Sequence, residues 1–360
     1  MITDKMTYRW LWSCLIAGGL LLSGCSDDSL ETTDQPSTSE LDNTLQLQAV
    51  TRTSGATQIG NADCPDIRAY LATATDLVQI GDKKYGTFHY NTNSTPAGWT
   101  SDISVKEERQ YYLYGYMPAS IDGSAEAPEG GNFSDGIVLT LTDIPSISTD
   151  DVSVVIGVQR LDAPLAGSAT ANVDVGNFSY LSGIVNKNYV NLLMGHLYSA
   201  LNLSFKVDAD YAKLRSIRLK KVEMKSTYGK VKAIIGLRKN SGITSSTYSR
   251  TTGSEYSEIL YDANEELTTT EKQLGKDVYC APGIFEMSGT SSNYLSITST
   301  YDVHDKAGNF LKTRTATNKI SVTGLSRAMK KTLVLTVAPT YLYILSDADL
   351  DNPGVIVSGE

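Results

Sequence analysis

The stretch LNLSFKV, Leu201 to Val207, alternates apolar and polar residues without a break. Alternation with a period of two places one set of side chains on each face of an extended chain, and it is typical of a half-buried β-strand. Similar runs occur on both sides of this stretch. They are Leu45-Gln46-Leu47-Gln48-Ala49, Ile137 to Thr142, Leu295 to Val303 and Leu333 to Val337. The chain is therefore predicted to be mainly β.

One further run changes phase in its middle. In IRLKKVEM, Ile217 to Met224, the apolar positions shift by one residue at Lys220 and Lys221. An extra residue in one strand of a pair produces such a shift and is called a β-bulge. We expect a bulged strand here, with its polar face in water.

Turn-forming clusters such as Asp122-Gly123-Ser124 divide the strands. Many short strands divided by turns favour β-sandwiches, and the chain is too long for one of them. We therefore predict an N-terminal β-sandwich over residues 53–198 and a C-terminal one over 199–360. Two short pieces, Ile67 to Leu77 and Val185 to Met194, are expected to be helices on or between the sheets.

The N-terminus has the features of a secretory signal. The apolar run from Trp10 to Leu22 follows two basic residues and is too short to span a bilayer. The next residues, Leu22-Ser23-Gly24-Cys25, resemble a bacterial lipobox, in which the cysteine is acylated with palmitate-type chains and becomes the new N-terminus. We expect residues 1–24 to be a lipoprotein signal peptide and Cys25 to be lipidated. The alternative is an ordinary cleavable signal that Cys25 merely follows.

The segment Ser26 to Asn43 is acidic and rich in hydroxyl side chains, so we expect a flexible tether. Its start, Ser26-Asp27-Asp28, resembles a signal that directs a lipoprotein to the outer face of the outer membrane, although a solvated run of charges explains the acids equally well.

The formal net charge of −9 argues against nucleic acid as a partner. Cys64 and Cys280 cannot form a disulfide framework; two buried thiols are favoured, and one long-range bridge is left open.

Residues that would carry chemistry are sparse. The three histidines, His89, His196 and His304, are far apart and form no close metal pair. Nucleophile-elbow, phosphate-loop and paired-cysteine motifs are missing from the sequence. His196 is expected to be a hydrogen-bonded structural residue and the other two to lie on the surface. The run Asp347 to Asp351 begins like a calcium loop but does not continue as one, so an acidic turn is favoured. We expect no enzymatic role, cofactor or metal.

Several segments together resemble the fimbrillin family of lipoprotein pilins, the subunits of type V pili. They are the lipobox ending at Cys25, Ala49-Val50-Thr51-Arg52-Thr53, Tyr112 to Pro118, Gly195-His196-Leu197, Tyr301-Asp302-Val303 and Thr336 to Asp347. Their order and spacing cover nearly the whole chain. The resemblance implies two tandem transthyretin-like β-sandwich domains, export as an outer-membrane lipoprotein, and assembly with other pilin subunits into a fimbrium.

The resemblance also implies proteolysis after an arginine just past the first strand. In this chain the matching bond joins Arg52 and Thr53, so the tether and first strand, residues 25–52, would be removed. An ordinary surface charge at Arg52 is the alternative. Losing Leu45 to Ala49 would expose an apolar groove with unpaired backbone groups, which a strand of another subunit can cover. The candidate donor residues are Tyr341, Leu342, Tyr343, Ile344, Leu345, Val355, Ile356 and Val357. The alternative is that each of these two segments is simply an edge strand of its own domain.

The sequence thus predicts a structural subunit of a cell-surface adhesive pilus, in the shaft or at its anchor or tip. It would be lipid-anchored in the outer membrane first and located in the fimbrium later. The alternative is a monomeric glycan-binding outer-membrane lipoprotein, with Tyr111 to Tyr116 as an aromatic platform. Alternate tyrosines of a strand must include some that face the core, which favours the structural interpretation. A host or bacterial surface ligand is compatible with both.

Overall fold

A computed structural model of the chain describes residues 44–52, 55–59, 64–93, 97–105, 107–165, 172–183, 188–251, 253, 255–285, 294–320, 324–341 and 348–359. Several sequence predictions fall outside these residues. They concern the signal peptide, Cys25, the tether, Thr53 and Leu342 to Leu345.

The described residues form strands and one short 3₁₀ helix, so the prediction of a mainly β chain is confirmed. The first twelve strands are β1 (Gln46–Arg52), β2 (Gly55–Ile59), β3 (Ile67–Ala72), β4 (Gly86–Asn91), β5 (Gly98–Ser101), β6 (Gln110–Met117), β7 (Asp122–Glu126), β8 (Gly136–Pro145), β9 (Ile147–Ser148), β10 (Ser153–Leu161), β11 (Ser179–Leu181) and β12 (Tyr189–His196). The remaining strands are β13 (Ser199–Val207), β14 (Ser216–Ser226), β15 (Lys230–Arg238), β16 (Gly242–Arg250), β17 (Tyr256–Leu267), β18 (Lys272–Gln273), β19 (Val278–Cys280), β20 (Leu295–His304), β21 (Phe310–Ile320), β22 (Lys330–Tyr341) and β23 (Ala348–Gly359). The 3₁₀ helix, Tyr211–Lys213, lies between β13 and β14.

The described strands form four sheets. A nine-stranded sheet has the order β2-β1-β12-β10-β6-β3-β4-β5, with β11 paired to β6. A six-stranded sheet has the order β23-β22-β13-β19-β9, with β18 paired to β13. Two four-stranded sheets have the orders β17-β14-β20-β21 and β16-β15-β8-β7. Most neighbours are antiparallel, but β1 runs parallel to β12 and β22 runs parallel to β13.

Two hydrophobic clusters lie between these sheets. The main core takes side chains from all four sheets. The smaller cluster, called the closed core below, takes side chains from the nine-stranded sheet and from the segment after β5. Its members are Leu45, Leu47, Val50, Ile67, Ala69, Leu71, Phe88, Ile103, Val105, Tyr111, Leu113, Met117, Val155, Val158, Tyr180, Val190, Leu192 and Met194. The strands β3, β6 and β10 contribute to both clusters and separate them.

The two predicted helices are wrong. The piece Ile67 to Leu77 contains β3, and the piece Val185 to Met194 contains most of β12. All six residues of β3 are buried, since the main core covers one face of this strand and the closed core covers the other. A strand buried on both faces loses its alternation, and a short apolar run cannot be told from a buried helix by periodicity alone.

The predicted bulge is confirmed. The register of β14 shifts between Leu219 and Lys221 against both of its neighbours, β17 and β20. Ile217 and Leu219 before the shift, and Val222 and Met224 after it, are all buried. The bulge therefore absorbs the extra residue, and both halves of the apolar face are directed into the main core.

The opening stretch forms most of β13, and its apolar side chains belong to the main core as expected. The predicted boundary between residues 198 and 199 lies at the turn that leads into this strand. Two sheets contain strands from both sides of it, because β8 pairs with β15 and β9 pairs with β19. The division into two tandem sandwiches stays a prediction. In the part of the chain that the structure describes, no helix is long and apolar enough to cross a membrane.

Deleting Glu223 should destabilise the protein much more than deleting Lys221. Without Lys221 the remaining residues from Ile217 to Met224 alternate regularly and need no bulge, so Val222 and Met224 keep facing the main core. Without Glu223 the bulge remains and Met224 follows Val222 directly, so Met224 turns towards water, which costs about 1.5–3 kcal/mol. Both deletions remove the partly exposed ion pair between Lys221 and Glu223, whose atoms are 3.0 Å apart, so its loss does not distinguish them. Urea unfolding followed by circular dichroism measures both variants, and equal losses would contradict the assigned role of the bulge.

Candidate functional site

The first strand, β1, lies between two other strands of the nine-stranded sheet. It runs parallel to β12, with Gln46 opposite Tyr189 and Arg52 opposite Met194. On its other side β2 pairs with it in antiparallel fashion from Val50 onwards. Its last three residues therefore have a paired strand on each side.

The two residues just before β1 contact a different part of the sheet. Thr44 forms an isolated antiparallel bridge with Ser104, and the backbone N of Leu45 donates to the carbonyl O of Ile103 at 2.7 Å. This segment directly follows β5, which is the last strand at the opposite end of the sheet. The contacts therefore close the nine-stranded sheet on itself, and β1 is its closing strand.

The closing strand and Leu45, the residue just before it, also complete the closed core with their side chains. Leu45, Leu47 and Val50 are 0%, 3% and 0% exposed. Burying an aliphatic side chain of this kind contributes about 1.5–3 kcal/mol. Removing β1 would expose these contacts and would also leave backbone groups of β12 without partners, which is costly away from water. A chain that lost β1 would present an apolar groove bordered by hydrogen-bonding groups.

The predicted processing bond begins at the last residue of this strand. Arg52 ends β1, and its side chain lies outside what the structure describes, as does Thr53. The preceding residue, Thr51, is 8% exposed and donates its hydroxyl to the carbonyl O of Leu192 at 3.5 Å. Cleavage after Arg52 would thus cut the connection between β1 and β2 while the sheet still holds β1 through non-covalent contacts.

The structure places part of the candidate donor residues. Tyr341 is the last residue of β22. Val355, Ile356 and Val357 belong to β23, which lies at the edge of the six-stranded sheet and pairs with β22. Val355 is 6% exposed in the main core, whereas Ile356 is 61% exposed. In this chain β23 is therefore an edge strand of its own sheet, and its donor role stays a prediction.

The tyrosines that could have formed a sugar-binding platform are buried. Tyr111, Tyr114 and Tyr116 are 5%, 0% and 0% exposed. The hydroxyl of Tyr114 donates to the carbonyl O of Phe133, and that of Tyr116 donates to the carbonyl O of Ile121 at 2.8 Å. Burial raises the pKa of Tyr114 and of Tyr116 above the usual tyrosine value. The structural interpretation of this run is therefore confirmed.

The histidines have structural or surface positions. His196 is hydrogen-bonded as predicted, with its Nδ1 2.8 Å from Oδ2 of the buried Asp151, and the hydroxyl of Ser153 donates to the same oxygen. This group joins the beginning of β10 to the end of β12. His89 is exposed as expected, whereas His304 is half-buried. Among the residues that the structure describes, no three His, Cys, Asp or Glu side chains are placed to hold a metal ion together.

Cys64 and Cys280 both lie within the described residues, and no disulfide joins them. Cys280 is buried, as expected, and burial raises the pKa of its thiol. Cys64 is half-buried rather than buried, and its thiol is 3.7 Å from the carbonyl O of Pro65.

Sequence reasoning missed one part of the closure. Ile103 and Val105 are 0% and 2% exposed in the closed core, next to the bridge that Ser104 forms with Thr44. The short alternation Ile103-Ser104-Val105 is the signal that could have shown it. Three residues are too few to stand out among longer runs.

Comparisons with known proteins find likeness in solved structures. A fimbrial protein from Bacteroides vulgatus is 12% identical, and the match covers 87% of this chain and 98% of that one, with a TM-score of 0.45. The fimbrial anchor protein Mfa2 from Porphyromonas gingivalis is 10% identical over 87% of this chain and 96% of that one, with a TM-score of 0.25. No protein-family model and no curated protein matches the chain. Both of these structures are of fimbrial proteins, and at these values they assign no function to this chain.

Leu47→Ala should destabilise the closed core. Truncating a buried leucine costs about 2–5 kcal/mol, because both apolar contacts and packing are lost. Gln48→Ala is the matched control on the same strand, where a half-buried polar side chain is removed and a change within about 0.5 kcal/mol is expected. Urea unfolding of both variants measures the difference. If Leu47→Ala cost no more than Gln48→Ala, β1 would not be an integral strand of the core.

Proposed function

We propose that this chain is a structural subunit of a cell-surface adhesive pilus, made as a lipoprotein precursor and assembled by strand exchange. The observation that supports this proposal most is the position of β1. This strand follows the predicted tether in the sequence, ends at the predicted cleavage site, and closes an apolar core. Anchor, cleavage site and closing strand thus follow one another in a single N-terminal segment.

Before cleavage the chain is a closed precursor. Cys25 carries the lipid that holds it in the outer membrane, and several acyl chains give a far more durable anchor than one. With β1 in place, the edges of β12 and of residues 103–104 are paired. A paired edge offers no template to another strand, so the precursor does not assemble prematurely.

Cleavage after Arg52 separates β1 from the body covalently but leaves it in its groove. An incoming strand with a similar apolar pattern can then replace it step by step, because the groove and the backbone groups of β12 are already in position. The incoming strand comes from the C-terminal region of another subunit. Candidates are Tyr341 to Leu345 and the β23 residues Val355 to Val357.

The same steps account for location and partners. The precursor is at the outer membrane through Cys25, and the processed chain is in the fimbrium with other pilin subunits. A host or bacterial surface would be the ligand of the assembled filament.

The structure does not favour the glycan-binding alternative. Its proposed aromatic platform is the run from Tyr111 to Tyr116, and three tyrosines of this run are buried and could not stack on a sugar ring.

Arg52→Ala should trap the lipidated precursor in the outer-membrane fraction and prevent filament formation, because the bond to Thr53 is no longer recognised. Immunoblotting of membrane and sheared fractions measures the chain length. Arg52→Lys is the control for the kind of protease: an arginine-specific enzyme leaves it uncut, and one that accepts any basic residue processes it. Arg52→Ala chains of normal mature size would contradict cleavage at this bond.

A chain that ends at Tyr341 tests the donor role. It lacks β23 but keeps β1 and the closed core, so we expect a lipidated, processed subunit that does not polymerise alone. Near-UV circular dichroism checks that it is folded. When it is co-produced with the intact chain it should shorten the filaments, because it can accept a strand but cannot supply one. Filaments of unchanged length that contain the truncated subunit would rule out donation by the C-terminal region.

A further inference from the structure

The terminal strand β23 is held by an interrupted ladder. It pairs with β22 in antiparallel fashion from Leu333 opposite Gly359 to Tyr341 opposite Ala348. Within this ladder Pro339 lies opposite Pro353, and the register shifts directly after Pro339. Proline has no backbone N–H, so neither residue of this pair can donate a ladder hydrogen bond. The proline pair therefore divides β23 into two arms.

The two arms are held unequally. The arm before Pro353 pairs at two positions, Ala348 and Asp349. The arm after it, residues 354–359, pairs over six positions and also has packed side chains: Val355 belongs to the main core and Val357 packs against it. The attachment of β23 to its own body therefore depends mainly on residues 354–359, called the terminal arm below.

A side chain from another sheet holds the terminal arm from outside. Asn318 lies on β21, the edge strand of a four-stranded sheet, and its Nδ2 donates to the carbonyl O of Val355 at 2.6 Å. Asn318 is half-buried, which limits competition from water. In an antiparallel ladder alternate residues direct their backbone groups away from the neighbouring strand. The amide of Asn318 thus caps an outward-facing carbonyl at the free edge of β23.

We propose that Asn318 is a clasp that retains β23 on its own body, and that the terminal arm detaches as a unit bounded by Pro353 when the clasp is removed. The inference concerns the isolated chain and does not depend on assembly. If the chain does exchange strands as proposed above, the clasp controls how readily β23 becomes available to another subunit.

Hydrogen exchange of the full-length precursor in mild detergent tests the clasp. Losing one net hydrogen bond should raise the rate of opening, and hence exchange in residues 354–359, by about 2- to 10-fold in Asn318→Ala. Asn318→Asp keeps the shape of the side chain, but a carboxylate cannot donate to a carbonyl, so its effect should be at least as large. Exchange in β13 should not change in either variant.

Thr317→Ala is the matched control. Thr317 neighbours Asn318 on the same strand, but its hydroxyl pairs with that of Thr298 at 3.0 Å on the exposed face. We expect no change in residues 354–359 for this variant. The proposal is overturned if Asn318→Asp exchanges like the unaltered chain, if Thr317→Ala opens the terminal arm as much, or if exchange rises equally in β13. These outcomes are read on the monomer, so they are separate from failure of strand exchange in the pilus.

Discussion

The parallel pairing of β1 with β12 is the contact on which the nine-stranded sheet depends. It joins the beginning of the described chain to residues roughly 140 positions later, as the hydrogen bond between Thr51 and Leu192 shows. On its other side the same strand meets the segment after β5. This strand, together with the two residues before it, thus satisfies two backbone edges and fills the closed core with the side chains of Leu45, Leu47 and Val50. Because that strand precedes the predicted cleavage site, one proteolytic cut there would separate it covalently from the body, and its non-covalent contacts would make its loss costly for the fold.

The closed core lies behind three central strands, β3, β6 and β10, which direct side chains into both the closed core and the main core. In β6, Leu113 faces the closed core while the neighbouring Tyr114 faces the main core. Buried tyrosines are acceptable there because their hydroxyls find carbonyl partners, as those of Tyr114 and Tyr116 do. The groove beneath β1 is therefore backed by strands that the main core fixes from behind. If β1 is removed as proposed, this backing would favour its replacement by another strand over collapse of the groove.

Half-buried strands could be predicted from the sequence, because their alternation is a local signal. This was true of β1, β13 and β14, and even the bulge at Lys220 and Lys221 followed from a change of phase. The strand β3 could not be recognised, because burial on both faces removes the alternation. Closure by Ile103 to Val105 and the pairing of Asn318 with Val355 join residues that are distant in sequence, and distant contacts leave no local pattern. The position of Arg52 at the end of β1 agrees with the sequence interpretation, whereas cleavage there stays a proposal.

The most direct test of the account is the N-terminus of the protein sheared from intact cells, determined by mass spectrometry. The account predicts a chain that begins at Thr53, with the closing strand no longer attached to it. A sheared, filamentous chain that still begins at an acylated Cys25 would contradict it, because β1 would then remain a permanent part of the subunit.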